Sequence, residues 1–162
     1  MTDILRLLLI ILLLTTSLAA YFLVIGALFG NRVTKTQRVI NQLTGRSFLV
    51  GLVNFFFFGV IAIVLFSVAD STGGAIRVIL TIPALLITAL LTVILSFGLA
   101  GMVNVVGERI LPEHSSLKKS VWGTMILTFA CALPLVGWFL LFPYAGLVGF
   151  GATILGIFQR DS

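Results

Sequence analysis

The residue types best suited to chemistry lie together in one polar stretch, positions 108–119. Within it Glu113 is followed directly by His114, and a carboxylate beside a histidine can exchange protons with a substrate or begin a metal site. Neighbouring residues on a helix, however, point about 100° apart, and one histidine and one cysteine in the whole chain are too few for a zinc site. The stretch therefore predicts a solvated loop, with a helix starting at Ser115 or Ser116.

The elements on either side of this loop are apolar and long. Four stretches contain no charged side chain, and they cover residues 7–31, 47–69, 78–107 and 120–159. Each exceeds the roughly 20 residues needed to cross a hydrocarbon core about 30 Å thick. Proton relays, ion pathways, haem ligation and catalytic dyads ordinarily need ionisable or coordinating groups at membrane depth. We therefore expect an integral membrane protein that is not an enzyme and has no cofactor or metal.

Composition supports a membrane protein. Of 162 residues, 60% are hydrophobic and 9% charged, whereas a soluble domain has roughly one quarter charged. The net charge of +5 fits loops that contact anionic lipid headgroups, and no basic face large enough for nucleic acid is present. Cys131, the single cysteine, excludes an internal disulfide and is expected to pack as a small residue.

The first apolar run partly resembles a signal peptide, because Arg6 precedes it and small residues from Thr15 to Ala20 interrupt it. The run continues to Gly26, which is too long for the apolar core of a signal peptide. We therefore predict an uncleaved membrane helix.

The last apolar stretch is too long for one span, since 40 residues of helix would measure about 60 Å. Pro134, Gly137 and Trp138 lie near its middle, and they favour a turn at a membrane interface. The alternatives are four spans with a kinked final helix, or a re-entrant final pair. The predicted fold is an all-α, polytopic helical membrane protein, one integral membrane domain over residues 1–162 whose last two helices form a hairpin. The five predicted helices cover residues 4–30, 48–68, 76–106, 117–133 and 138–158.

Between the first two predicted helices lies a polar segment, residues 31–46. On a helical projection Val33, Ile40 and Leu43 gather on one side and basic residues on the neighbouring side, as in a short interfacial helix. Contact with lipid headgroups is the favoured interpretation and a specific partner site is the alternative. The candidate headgroup contacts are Arg32, Lys35, Arg38 and Arg46.

Small residues at helical spacing predict close helix packing, although glycine is also simply common in membrane helices. The candidate packing residues are Gly26, Gly30, Ala145, Gly149, Thr153, Ala152 and Gly156. Asn54 is expected to hydrogen-bond to another helix. The run of phenylalanines at 55–58 points around the whole helix, so some of these rings must face lipid or another subunit.

The distribution of basic residues predicts the orientation. In a five-span arrangement one side carries most of the lysines and arginines, and the other carries only Arg6 and Arg77. The positive-inside rule then places the N-terminus outside and the C-terminus in the cytoplasm, in an inner (plasma) membrane. The side that is rich in basic residues carries Arg32, Lys35, Arg38, Arg46, Arg109, Lys118, Lys119 and Arg160.

One resemblance covers roughly the last 65 residues. Its motifs are Gly98, Gly101 and Gly107-Glu108-Arg109 with Pro112, then Pro134 with Gly137-Trp138, then Gly149-Phe150-Gly151-Ala152. This pattern resembles the helical membrane module that follows bactofilin-like, polymer-forming domains in bacteria. The resemblance implies a bacterial membrane-embedded module of unassigned chemistry, and it carries over no functional residue.

Three functions remain open at this point. The leading hypothesis is an accessory, scaffold or assembly subunit that binds lipid bilayer and other membrane subunits, because the loops are short and the helices carry small-residue faces. A small channel or transporter is the alternative, and an enzyme acting on lipid, resting on Glu113 and His114, is the third. The candidate channel-lining residues are Asn54, Asn104, Ser96, Thr88 and Thr92.

Overall fold

A computed structural model describes residues 2–113, 115–132 and 136–158, and this part of the chain is almost entirely helical, without strands. Five α-helices and one turn of π-helix follow each other along the chain. Their bounds are α1 Thr2–Leu28, α2 Gly30–Ser71, α3 Gly74–Ile110, α4 Ser116–Ala132, the π-helix Gly137–Leu141 and α5 Phe142–Phe158.

Four of the helical segments described are long and apolar enough to cross a membrane: they lie in α1, α2 and α3 and at residues 139–158. The prediction of an all-helical fold is confirmed for the described residues, and the four long apolar helices are consistent with a multi-pass membrane protein. α4 has 17 residues, about 26 Å of helix, which is slightly less than the hydrocarbon thickness. The side chains that α1, α2 and α3 expose are mostly large and apolar, as contact with lipid requires.

The second helix differs from the sequence prediction. A short interfacial helix followed by a span at 48–68 was expected, but α2 is one element of 42 residues with a kink at Leu43, where φ is −132° and ψ is 39°. The Thr44 hydroxyl donates to the Ile40 carbonyl at this point, and Gly45 follows. Because the helix continues on both sides of Leu43, the polar segment and the span form a single bent helix.

The apolar side of the polar segment faces protein. Val33, Val39 and Ile40 are all at most 3% exposed. An interfacial helix was expected to rest this side on lipid, but here it packs against α3 and α5 instead. The segment is amphipathic because it lies at the edge of the helix bundle.

The turn between α2 and α3 takes only Thr72 and Gly73. Gly74, the first residue of α3, has a φ of +64°, a left-handed conformation that glycine adopts without a steric penalty. α2 and α3 therefore pack as a tight antiparallel pair. Pro83 lies inside α3, and the helix continues through it.

The remaining helices pack on this pair. α4 runs antiparallel to α3, since Gly107 lies against Lys119 and Gly123 lies against Val103. α5 runs antiparallel to α2, with Gly51 against Leu147 and Gly151 against Ser47. α1 packs mainly against α4.

Two small clusters of buried side chains form the core. One lies between α2, α3 and α5 and the other between α1, α2 and α3. The first contains Val39, Ile40, Val105, Val148 and Ala152, and the second contains Phe22, Val33, Ala100 and Val103. Phe150 is also fully buried, and its ring meets Phe55 edge-on at a centroid distance of 5.5 Å.

Gly137, the first residue of the π-helix, lies close to the end of α4. A Cβ built on Gly137 would lie 2.4 Å from the Cys131 carbonyl oxygen and 2.5 Å from that of Ala130. Gly137 is therefore required at this point of close approach. Pro134, to which the predicted turn was assigned, lies outside the described residues, as does Arg160.

Candidate functional site

Polar side chains from three helices meet in one cleft of about 480 Å³, which we call the Glu108 cleft. Apolar residues of α1, including Phe22 and Leu23, form one wall. Its polar lining residues are Thr34, Gln37, Asn104, Glu108, Ser116, Lys119 and Ser120. Gly26 and Gly30 also line it.

Two glycines bring α3 and α4 close enough to form this cleft. A Cβ at Gly107 would lie 2.0 Å from the Lys119 carbonyl oxygen, and a Cβ at Gly123 would lie 2.1 Å from that of Val103. Any larger residue would push the helices apart. The contact places the first turn of α4 beside the last turns of α3.

One side-chain hydrogen bond ties α2 to α3 at the cleft. The Gln37 amide nitrogen Nε2 donates to Glu108 Oε2. A bond from an amide to a carboxylate is charge-assisted and stronger than a neutral one. Glu108 is exposed and Gln37 is half-buried, so the carboxylate stays accessible to water and to a ligand.

Within the described residues no set of three histidine, cysteine, aspartate or glutamate side chains could hold a metal ion. Glu113 lies exposed in the turn after α3, and His114 lies outside the described residues. The polar side chains that line the cleft can hold a ligand by hydrogen bonds.

A second cleft, of about 890 Å³, lies between the start of α2, the middle of α3 and the end of α5. We call it the Arg32 cleft. Arg32, Lys35 and Arg38 line it, so three of the four candidate headgroup contacts lie together. Arg46 is exposed beyond the kink and is not among the lining residues.

The candidate channel residues do not share either cleft. Asn104 lines the Glu108 cleft, whereas the other four line neither. The hydroxyls of Thr88, Thr92 and Ser96 each donate to the carbonyl four residues earlier in α3. Asn54 was expected to bond another helix, but its amide donates to Val50 in its own helix at 2.8 Å.

The candidate packing residues fall into two groups. On α5, Ala145, Gly149, Ala152, Thr153 and Gly156 are all buried. Gly149 lies against Gly98 of α3, and a Cβ built on Gly156 would lie 3.8 Å from Lys35 Cγ. By contrast, a Cβ at Gly26 of α1 or at Gly30, the first residue of α2, would meet no atom within 4 Å.

The residues that set the closest contacts were not among the packing residues predicted from the sequence. Gly51, Gly98 and Gly151 each lie against the backbone of another helix, whereas the residues predicted on α5 were the small neighbours of Gly151. The pairing of Gln37 with Glu108 was not predicted either. The available signal was the row of small residues at 98, 101 and 107 on α3, which marks a face that approaches other helices.

Comparisons with protein-family models, curated proteins and solved structures return no match for this chain.

Proposed function

We propose that this protein is a non-catalytic accessory, scaffold or assembly subunit of a larger bacterial membrane protein complex. The observation that carries the proposal is the small buried share of its spans. In the apolar stretches by which α1, α2 and α3 could span the membrane, only 11%, 11% and 6% of the residues are buried. Most of the apolar surface is therefore available to lipid and to other subunits.

The exposed aromatic residues of α2 support a protein partner. Phe55 packs on Phe150 inside the bundle, whereas Phe56 and Phe57 are 60% and 61% exposed. Aromatic side chains are enriched at protein interfaces because they bury large areas with little loss of conformational entropy. The outer side of α2 is the surface that we assign to the partner.

Purification from the native membrane in a mild detergent, followed by native mass spectrometry, tests this proposal. We expect at least one other membrane protein to co-purify with the chain. Phe56→Leu/Phe57→Leu should weaken that association and leave the protein in the membrane. Leu12→Ala/Leu13→Ala on α1 is the control, and it should leave the association intact. A stable monomer with no co-purifying protein would contradict the proposal.

We also propose five spans, with the N-terminus outside and the C-terminus in the cytoplasm of a bacterial inner membrane. The packing of the helices supports a reversal between the last two spans. α4 runs antiparallel to α3, and α5 runs antiparallel to α2. Since α2 and α3 are themselves antiparallel, α4 and α5 run in opposite directions. Gly137, between them, lies against Ala130 and Cys131 of α4. In this orientation the basic end of the molecule faces the cytoplasm.

A small channel or transporter is the alternative proposal, and the observation in its favour is the polar lining of the Glu108 cleft. Purified protein in liposomes should then conduct an ion or small solute above the level of empty liposomes. Asn104→Leu, at the cleft, should abolish that flux. Flux equal to that of empty liposomes would exclude this alternative for the solutes tested.

A further inference from the structure

The Arg32 cleft combines basic and apolar residues in a way that the proposed subunit role does not use. Arg32, Lys35 and Arg38 follow one another at spacing three on α2, so they lie within about 120° of one another around the helix. All three line the cleft. Among the residues described, none of those lining it is acidic.

The two arginines are accessible to a ligand. Arg32 and Arg38 are both exposed, and neither has a salt bridge to a described residue. Two guanidinium groups on one helix face present several N–H donors in a geometry that suits the oxygens of a phosphate. The polar rim of the cleft is therefore complementary to an anionic headgroup.

The opposite wall of the cleft is apolar and continuous. Leu90, Val93, Ile94 and Phe97 of α3, spaced like one face of a helix, line it together with Ile157 of α5. This wall is about 10 Å long, at a rise of about 1.5 Å per residue from Leu90 to Phe97. Leu90 and Val93 are 60% and 51% exposed. A free anion would gain nothing from such a wall, whereas a hydrocarbon chain would be stabilised by covering it.

We propose that the Arg32 cleft is a binding site for an anionic phospholipid. The phosphate lies at Arg32 and Arg38, and one acyl chain lies along the α3 wall from Leu90 to Phe97. The site is distinct from general attraction of basic loops to a charged membrane, because it requires both the arginine pair and the apolar wall. It is independent of whether other subunits bind.

Lipid binding to the delipidated full-length protein in neutral detergent tests the site. The probes are phosphatidylglycerol, phosphatidylcholine with the same acyl chains, and inorganic phosphate, with bound lipid counted by native mass spectrometry. We expect phosphatidylglycerol to bind more tightly than phosphatidylcholine. Arg32→Gln/Arg38→Gln should weaken phosphatidylglycerol binding at least about tenfold, since each basic residue near a lipid surface contributes on the order of 1 kcal/mol.

One control variant and one further test variant separate the site from its alternatives. Arg46→Gln/Arg109→Gln removes two exposed arginines outside the cleft and should change binding less than about twofold. Val93→Trp keeps every charge and fills the apolar wall, and it should also weaken binding. A thermal unfolding curve of each variant without lipid verifies that it is folded.

The outcomes distinguish the sources of the anion. An equal loss in both arginine variants would show general electrostatic attraction and overturn the proposal. Displacement of phosphatidylglycerol by millimolar inorganic phosphate, with no effect of Val93→Trp, would assign the cleft to a free anion and overturn it as well. Selective loss in Arg32→Gln/Arg38→Gln and Val93→Trp supports the lipid site.

Discussion

Gly151 of α5 lies directly against the backbone of Ser47 in α2, so close that a Cβ at position 151 would be 1.8 Å from the Ser47 carbonyl oxygen. The same Cβ would lie 2.6 Å from the Gly51 nitrogen. Both neighbours are backbone atoms and cannot move aside as a flexible side chain would. The two helices touch through their main chains, and this contact fixes the position of α5.

Gly151→Ala is therefore expected to destabilise the protein by about 1–3 kcal/mol or more, because an added methyl group overpacks a closed contact. The measurement is the free energy of unfolding in mixed micelles, followed by circular dichroism. Gly146→Ala on the same helix is the matched control. A Cβ there would lie 3.6 Å from Leu95 Cδ1, an ordinary contact, and similar losses in both variants would contradict the prediction.

Ser47→Ala should leave the free energy of unfolding unchanged or raise it by about 1 kcal/mol. Ser47 is fully buried, and its hydroxyl has no hydrogen-bond partner in the described part of the chain. Removing an unsatisfied buried group relieves its desolvation cost. Ser47→Leu should destabilise through overpacking against α5. A loss of more than about 1 kcal/mol in Ser47→Ala would show that the hydroxyl has a partner.

The bond between Gln37 and Glu108 should give a measurable coupling between α2 and α3. A double-mutant cycle of Gln37→Ala and Glu108→Ala is expected to yield a favourable interaction of about 0.5–1.5 kcal/mol, toward the lower end because Glu108 is exposed. The same cycle with Gln42→Ala in place of Gln37→Ala should yield none, since Gln42 is exposed and makes no side-chain hydrogen bond to α3 within the described part of the chain. Equal coupling in both cycles would refute a specific bond.

The topology is tested by cysteine labelling with a membrane-impermeant reagent in a Cys131→Ser background. A cysteine introduced at Ser162 should react only after the cells are permeabilised, because the five-span arrangement places this end in the cytoplasm. A cysteine at Ser71, exposed at the turn between α2 and α3, should react in intact cells. Labelling of both positions in intact cells would eliminate the proposed arrangement.

The sequence predicts the helical spans well because hydropathy alone decides them. A charge-free stretch such as residues 78–107 can satisfy its backbone groups in lipid only as a helix, and α3 includes it entirely. The bend in α2 was harder to predict. The polar residues after Asn31 suggested a separate element, but nothing local to Leu43 shows that the helix resumes after the kink.

The contacts of the candidate sites depend on tertiary arrangement, which a single sequence does not contain. Gly98 and Gly149 meet because α3 and α5 cross at that level. The positions of the two glycines in the sequence do not show that they are in contact. Asn54 shows the opposite case. Its short side chain reaches the carbonyl of Val50 one turn away, and this local bond replaces the expected bond to another helix.

The kink at Leu43 has a consequence for biosynthesis. α5 contacts α2 on both sides of the bend, at Ser47 beyond it and at Lys35 and Val39 before it. About 100 residues separate the kink from α5 in the chain, and synthesis proceeds from the N-terminus. The two halves of α2 are therefore synthesised before the helix that braces them. Because α5 packs on both halves, their angle, and with it the shape of the Arg32 cleft, depends on the docking of the last helix.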